Sequence, residues 1–456
     1  MDSIFTNLIL EKENEPQILE CRKVCHLWNQ VATKLLHKKS TRVLTFGEQS
    51  HYTYNKDLKA FMKMLKQFEN EFPTIPVTHF RMLPCVFQVG HDQLLQDFVH
   101  FVSPFVCSFV FMLDIQSTLH FNEWNNYDLN SQTCTLSKLR SLCFDFRRLK
   151  ATDMNFVEYF LSRGKNCIET LTFIHPAETI FEDGEERAII NAKLIQLFNM
   201  TVLPRLKTLK LDISLTNELL ASLSAFLAHS NISALELSIR NSRVNKEDLF
   251  GLLQVVAPCL ESLSFQRLGP QSNIVFKFPT MRALTHLEFQ GWENVVTDVH
   301  FCPFDYNQQF PKLVSLELNT WSEDSSWRQF FPNQTPVLEN ERRPIKNLKL
   351  PSALHDPSTI FQSYGFFINL RSLAVCFSLR TAPLLVKVFQ LLGNIHELRL
   401  CKSIDEVHSA INVDYLFTGL PASECEKVLK SKSYVNQRCR RMERKPSLID
   451  LKSKTS

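Results

Sequence analysis

Cysteine and histidine are the residues of this sequence with the widest chemical scope, because they can act as nucleophiles, general bases or metal ligands. The chain has 13 cysteines and 14 histidines among 456 residues, and both types are scattered. Cys21 and Cys25 share one helix face at a spacing of four residues, but no second pair stands at ligand spacing. We therefore expect no metal site and no cofactor.

Sequence motifs of catalysis are missing. The patterns G-x-S-x-G and H-E-x-x-H do not occur, and Gly164-Lys165 lacks the earlier glycine of a phosphate-binding loop. With only 10 glycines in the chain, tight turns that cradle phosphate are scarce. The sequence predicts no enzyme. Folding can still bring a cysteine beside a histidine, and that alternative stays open.

The net charge of +4 is concentrated in the last part of the chain. Residues 421–456 hold ten Lys and Arg against four Asp and Glu, which leaves 41 against 43 for residues 1–420. A near-neutral body does not predict a nucleic-acid partner. We expect residues 421–456 to be a basic, flexible tail whose arginines either keep the chain soluble or form a nuclear-import patch.

Cysteine usage and hydropathy indicate a compartment. Thirteen scattered cysteines are typical of buried free thiols, and no secretion signal is recognisable at the N-terminus. The apolar stretch Phe101–Leu113 is too short to cross a bilayer. The sequence thus predicts a cytoplasmic or nuclear protein without a membrane anchor.

The secondary-structure elements that would position a site are indicated by a repeated sequence pattern. An apolar pattern of the form φxxφxφ occurs ten times, with a mean spacing of about 28 residues. The copies begin at Leu139, Ile168, Leu206, Ile232, Leu260, Leu284, Leu313, Ile345, Leu370 and Ile395. Two weaker copies begin at Val77 and Val106. Because side chains alternate along a strand, each copy predicts a strand with one buried face.

Helical patterns lie between the strands. One follows the capping residues Thr216 and Asn217, a second follows Asn245, and a third runs from Pro383 to Gly393. Each repeat therefore reads as strand, turn and helix. Since one strand and one short helix cannot cover their own apolar surface, neighbouring repeats must stack.

This organisation resembles the leucine-rich-repeat family over roughly residues 70 to 405. The resemblance implies an α/β solenoid with a parallel concave sheet and helices on the convex side. The family usually has Asn or Cys eight residues after the first leucine, where its side chain satisfies backbone groups between turns. This chain has other residues there, including Ser214, Arg240 and Trp292.

The N-terminal residues follow a different pattern, with apolar residues at helical spacing between Ile18 and Leu36. Their sequence resembles the second half of an F-box, which the following residues match: Leu19, Cys21, Arg22, Val24, Cys25, Trp28 and Asn29. An F-box followed by leucine-rich repeats implies the substrate-recognition subunit of an SCF-type ubiquitin ligase. The resemblance further implies that Leu19, Cys21, Val24, Cys25 and Trp28 dock on the Skp-type adaptor.

Three regions follow from these patterns: an F-box-like helical segment over residues 1–42, a solenoid over 43–420 and the basic tail over 421–456. An alternative function is a leucine-rich-repeat scaffold or adaptor unconnected with ubiquitin ligation. In that alternative the N-terminal helices cap the open end of the solenoid.

The residues between the apolar positions should point out of the sheet on its concave side and bind a protein partner. The row with the richest chemistry consists of Arg267, His286, Glu288, Gln290, Trp292, Glu317, Asn319 and Trp321. Trp292 and Trp321 occupy the same offset in adjacent repeats, so we expect them to be neighbours at the rim. There they either anchor a partner or fold inward to fill the space of the missing Asn ladder.

Overall fold

The computed structural model describes residues 43–46, 58–63, 78–83, 92–113, 135–146, 153–174, 184–213, 215–239, 244–266, 275–290, 300–301, 306–319, 345–350, 369–377 and 396–402. The chain divides into two compact units, Met1–Glu236 and Leu237–Ser456. The F-box-like residues, residues 383–393 and the tail fall outside the described ranges, and their predicted structures stay predictions.

The first unit is a parallel sheet whose strands follow one another in chain order. They are β1 (Val43–Phe46), β2 (His79–Met82), β3 (Ser108–Leu113), β4 (Ser141–Phe146), β5 (Thr170–Ile174), β6 (Thr208–Asp212) and β7 (Ala234–Ser238), the strand in which this unit ends. Leu209 and Leu235 lie on neighbouring strands of this sheet, as the repeat predicts.

Register in this sheet keeps equivalent repeat positions side by side. Leu44 pairs with Phe80, which pairs with Phe109, and the row continues through Leu142 to Leu171 and Leu209. All the paired residues from Phe80 onward are fully buried. A shift of one residue would turn this apolar row to the other face, so the hydrophobic pattern itself fixes the register.

Helices of the first unit pack on the apolar face of its sheet. They are α1 (Asp92–Val102), α2 (Asp153–Gly164), α3 (Gly184–Met200) and α4 (Asn217–Leu227). Phe98 of α1 makes an edge contact with Phe80 at 5.3 Å between ring centroids, and Phe198 of α3 does so with Phe173 at 6.1 Å. The helices therefore complete the core that the strands begin.

Phenylalanines form a stacked column along this core. The rings of Phe111, Phe144 and Phe173 stand on consecutive strands, with centroids 5.7 and 5.6 Å apart and interplanar angles of 24° and 20°. Parallel strands in register lie about 4.8 Å apart, a spacing that suits offset stacking of identical rings. Phenylalanine side chains thus fill successive layers of the core.

Local sequence signals set the ends of the elements. Thr216 caps α4, its Oγ1 accepting a hydrogen bond from the N–H of Leu219 at 3.3 Å. Asn245 caps the next helix in the same way, accepting from Asp248 at 2.7 Å. Prolines stand in the turns that lead into strands, at Pro104, Pro204, Pro258 and Pro311. Around these two helices, the caps and turns confirm the predicted order of strand, turn and helix.

The second unit has a parallel sheet of the same kind. Its strands are β8 (Ser262–Gln266), β10 (His286–Gln290), β12 (Ser315–Asn319), β13 (Asn347–Lys349), β14 (Ser372–Phe377) and β15 (Glu397–Lys402), and β9 (Val275–Phe276) with β11 (His300–Phe301) forms a separate parallel pair. Its helices are α5 (Lys246–Val256) and α6 (Tyr306–Gln309). Leu263, Leu287, Leu316 and Leu348 pair in register across it.

Both units are thus α/β, with serial parallel strands and connecting helices, an arrangement compatible with a solenoid-like fold. The triplets that begin between Leu139 and Ile395 all supply strands, which confirms the repeat. None of the helices in the described ranges has the length and apolar character that crossing a membrane requires.

A buried glutamine links two turns of the second unit. Gln309 is 8% exposed, and its Nε2 donates a hydrogen bond to the backbone carbonyl of Phe278 at 3.0 Å. The backbone carbonyl of Gln309 accepts a hydrogen bond from the N–H of Met281 at 2.7 Å. The side chain of Gln309 therefore satisfies the carbonyl of a residue 31 positions earlier, and its backbone adds a second bond to the same turn.

Replacing Gln309 by leucine should destabilise the protein by about 2 kcal/mol, because it removes a donor from a buried carbonyl. The midpoint of urea unfolding measures this change. Gln308→Leu is the matched control, since Gln308 is exposed on the same short helix, and its cost should stay within about 0.5 kcal/mol. Equal costs for the two variants would show that the Gln309 bridge contributes nothing to stability.

Candidate functional site: a polar face on the second sheet

The second sheet has a polar surface opposite its leucines. Along β10, His286, Glu288 and Gln290 are partly exposed, while Leu287 and Phe289 between them are fully buried. This alternation is the one expected for a strand with one apolar side. The surface is here called the polar face, and it consists of Ser264, His286, Glu288, Gln290, Glu317 and Lys349.

Register brings side chains of four strands together on the polar face. Glu288 pairs with Ser264 of β8 on one side and with Glu317 of β12 on the other, and Glu317 pairs with Lys349 of β13. The row therefore reads Ser264, Glu288, Glu317, Lys349 across adjacent strands. Strands hold the backbones of these residues at fixed spacing, about 4.8 Å from one strand to the next.

Glu288 is the centre of the polar face. Its Oε2 accepts a hydrogen bond from Ser264 Oγ at 3.1 Å, and its Oε1 accepts one from Gln290 Nε2. The Nε2 of His286 lies 3.9 Å from the same Oε2. Glu288 is only 15% exposed, so these neighbours take the place of much of its hydration.

The environment of Glu288 favours its charged form. Burial opposes ionisation, but the donors of His286, Gln290 and Ser264 outweigh it and lower the pKa of Glu288 to about 2. The Glu288 carboxylate in turn raises the pKa of His286 above its ordinary value, against the effect of burial and with help from the charge of Glu317. The Glu288 carboxylate is therefore held as an anion beside the His286 imidazole, which the raised pKa makes easier to protonate.

Glu317 carries the second negative charge of the polar face. Lys349 Nζ lies 3.4 Å from its Oε2, and both side chains are partly exposed. Further along the sheet Ser372 Oγ donates to Glu397 at 3.1 Å, and Arg399 Nε donates to the same carboxylate at 2.8 Å. Polar contacts of carboxylates thus recur on β14 and β15.

Two described groups have strongly shifted pKa values, and both shifts reduce reactivity. A carboxylate with a pKa of about 2, such as Glu288, is a weak general base at neutral pH. In the first unit, burial raises the pKa of the Cys143 thiol to about 11, with a further contribution from Asp145. That thiol is protonated at neutral pH and is a weak nucleophile.

The structure brings several of the predicted partner-binding residues together. His286, Glu288, Gln290, Glu317 and Asn319 lie on the adjacent strands β10 and β12, with Gln290 opposite Asn319. Arg267, Trp292 and Trp321 lie outside the described residues, as do the predicted adaptor-binding residues Leu19, Cys21, Val24, Cys25 and Trp28. The roles of those eight residues remain predictions.

Sequence reasoning missed Ser264 and Lys349, which contact the predicted residues directly. The signal was present in the repeat, since Ser264 and Gln266 occupy the positions of Glu288 and Gln290 one repeat earlier. Extending each row by one strand on either side identifies both residues. Among the described residues, no three His, Cys, Asp or Glu side chains converge as metal ligands.

No protein-family model matches this chain, and no curated protein does so either.

Proposed function

We propose that this chain is a protein-protein interaction module that serves as the substrate-recognition subunit of an SCF-type ubiquitin ligase. The observation that carries the interaction role is the polar face, in which four consecutive strands hold Ser264, Glu288, Glu317 and Lys349 in one row. Its charged groups are held by contacts with one another and with neighbouring polar side chains. A partner therefore meets a preorganised surface, which limits the side-chain entropy lost on binding.

The link to a ubiquitin ligase is supported by the sequence of residues 1–42 and by the repeats that follow it. Residues from Leu19 to Asn29 resemble the second half of an F-box, and the repeats that resemble the leucine-rich family follow over roughly residues 70 to 405. In this arrangement one region holds the Skp-type adaptor and the other holds the substrate. The substrate docks on the polar face, with Glu288 and Glu317 as its acceptors.

The adaptor role is tested by replacing Trp28 with alanine. Trp28 is the largest side chain of the F-box-like match, and truncation of an aromatic anchor should cost more than about 1 kcal/mol of binding. The full chain is co-purified with a Skp-type adaptor, and the affinity is measured by titration. Trp124→Ala is the matched control, because it makes the same truncation outside residues 1–42.

A second variant separates the two binding roles. Glu317→Lys reverses a charge on the polar face and should reduce ubiquitination of bound partners while adaptor binding stays unchanged. Trp28→Ala should show the opposite pattern. If the wild-type chain does not bind the adaptor, and Trp28→Ala lowers the melting temperature instead, the N-terminal helices are a cap and the protein is a scaffold unconnected with ubiquitin ligation.

A further inference from the structure

The turns that lead into β4, β5 and β6 form a continuous edge in the first unit. The N–H of Glu169 donates to the carbonyl of Arg140, and the N–H of Lys207 donates to the carbonyl of Glu169, both at 2.8 Å. The backbone N–H of Ser233 continues the series by donating to the carbonyl of Lys207 at 2.8 Å. Side chains at this position of successive repeats are therefore neighbours in space.

Cations dominate this edge. The surface called the basic rim consists of Lys138, Arg140, Lys165, Arg205 and Lys207, all exposed in these turns, and the charges of Lys207, Arg140 and Arg205 act on the carboxylate of Glu169. Lys207 Nζ lies 3.0 Å from Glu169 Oε2, yet the Lys207 side chain stays 61% exposed. Among the described residues, the other four cations form no ion pair. The turns thus expose five positive charges, three of which act on the one carboxylate of Glu169.

The pKa of Glu169 reflects this excess of positive over negative charge. The hydrogen bond from Lys207 lowers the pKa of Glu169, burial opposes this slightly, and the charges of Lys207, Arg140 and Arg205 lower it further. Three cations therefore act on one carboxylate at the same time. Because the Glu169 carboxylate offsets only one of these positive charges, the rim keeps a net positive potential.

The basic rim has clear limits. On one side the next residue of the row is Cys107, whose carbonyl accepts from the N–H of Arg140 at 2.8 Å, and on the other side it is Ser233. Both are uncharged. Three adjacent strands span about 10 Å, which is the length of roughly three residues of extended peptide. The dimensions fit a short acidic motif rather than a long phosphate track.

We propose that the basic rim binds a short acidic segment of a partner protein through the carboxylate or phosphate oxygens of that segment. Arg140 and Arg205 supply planar forks that can hold two such oxygens each, while the lysines supply point charges. The body of the chain is close to neutral, so attraction of an acidic segment depends on this local excess of charge. The inference stands apart from the polar face and does not require a ubiquitin ligase.

Fluorescence anisotropy with labelled peptides and the full chain tests the rim. The first probe is a Glu-Asp-Glu peptide, the second carries phosphoserine in the central position, and a Gln-Asn-Gln peptide is the neutral reference. Binding of the first two probes and not of the third supports the proposal, and their ratio distinguishes carboxylate from phosphate. Equal binding of the neutral peptide would overturn it.

Charge-reversal variants locate the binding to the rim. Arg140→Glu combined with Lys207→Glu should weaken binding of the acidic probes at least about tenfold, because two attractive contacts become repulsive. Arg282→Glu combined with Lys312→Glu is the matched control, since it changes the net charge equally at exposed turn residues of the second unit. The control should change affinity by less than about twofold.

A third variant should change the affinity for the acidic probes in the opposite direction. Glu169→Gln removes the only carboxylate of the rim and should tighten binding of the acidic probes by about two- to fivefold. Circular dichroism and melting curves establish that each variant is folded. Equal weakening by the rim and control variants would overturn the proposal. Tighter, rim-dependent binding of a DNA duplex than of either acidic peptide would also overturn it and assign the rim to nucleic acid.

Discussion

Replacing Phe111 with alanine is expected to lower the free energy of unfolding by about 3–5 kcal/mol. The ring is fully buried on β3, and its centroid lies 4.6 Å from Phe160, 4.9 Å from Phe156 and 5.0 Å from Phe109. Phe144 on the next strand stacks on it at 5.7 Å. Alanine would leave a cavity among four rings that are themselves held by sheet and helix, so relaxation can fill little of it.

Urea denaturation followed by far-ultraviolet circular dichroism measures this loss. Met200→Ala serves as the control, because Met200 at the end of α3 is 71% exposed and its truncation should change stability by less than about 0.5 kcal/mol. Similar midpoints for the two variants would contradict the aromatic column as a main source of stability. Phe111→Leu, which retains most of the apolar contact, should fall between them.

The pH dependence of stability is the second large effect expected. Because the pKa of Glu288 is about 2 in the folded state and 4.5 in the reference state, its ionised form is stabilised by folding. The sign follows from linkage: this contribution is present above pH 4.5 and is lost as the pH falls towards 2. At about 1.4 kcal/mol for each pKa unit, the loss is on the order of 3 kcal/mol.

His286 titrates in the opposite sense. Its pKa is raised above 6.5 in the folded state, so its stabilising contribution is complete below that value and is lost as the pH rises through the raised pKa. The polar face therefore contributes most between about pH 4.5 and 6.5. Unfolding curves from pH 2 to 8 for the wild type and for Glu288→Gln should converge at the acidic end. Parallel curves would contradict the role of Glu288.

Much of the fold was predictable because one physical rule repeats. Alternating apolar residues fix each strand, and the same rule applied ten times gives a parallel sheet with serial neighbours. The rule missed β1, since Thr41 stands where most repeats have an apolar residue, although Leu44 and Phe46 pair with Phe80 and Met82. It also missed the two-residue strands β9 and β11, which are too short to show alternation.

The candidate site was less predictable, because it depends on contacts between repeats. Sequence places Glu288 and Glu317 in one row, but it does not show that Glu288 accepts hydrogen bonds from Ser264 and Gln290. The depressed pKa of Glu288 follows from the donors of His286, Gln290 and Ser264, which outweigh the opposing effect of burial, and its position in the repeat does not reveal them. The electrostatic character of the polar face therefore needs the three-dimensional structure.

The Gln309 bridge shows the same limit for the core. The repeat has no Asn ladder, and nothing in the pattern marks Gln309 as the residue that satisfies the Phe278 carbonyl. Glutamine is common in exposed turns, so the place of Gln309 beside Phe310 in the sequence does not mark it as a buried residue. Only its contact with a turn 31 residues earlier reveals its structural role.

The serial order of the strands also bears on how the chain folds. Side chains that meet across neighbouring strands are separated by similar lengths of chain, such as 24 residues for Ser264 and Glu288 and 38 for Lys207 and Glu169. Closing the longer loop costs only about 0.4 kcal/mol more than closing the shorter one. Loop length therefore does not decide which repeat forms first. The rings that contact Phe111 belong to β3, β4 and α2, so we expect these elements to form a nucleus from which later repeats propagate.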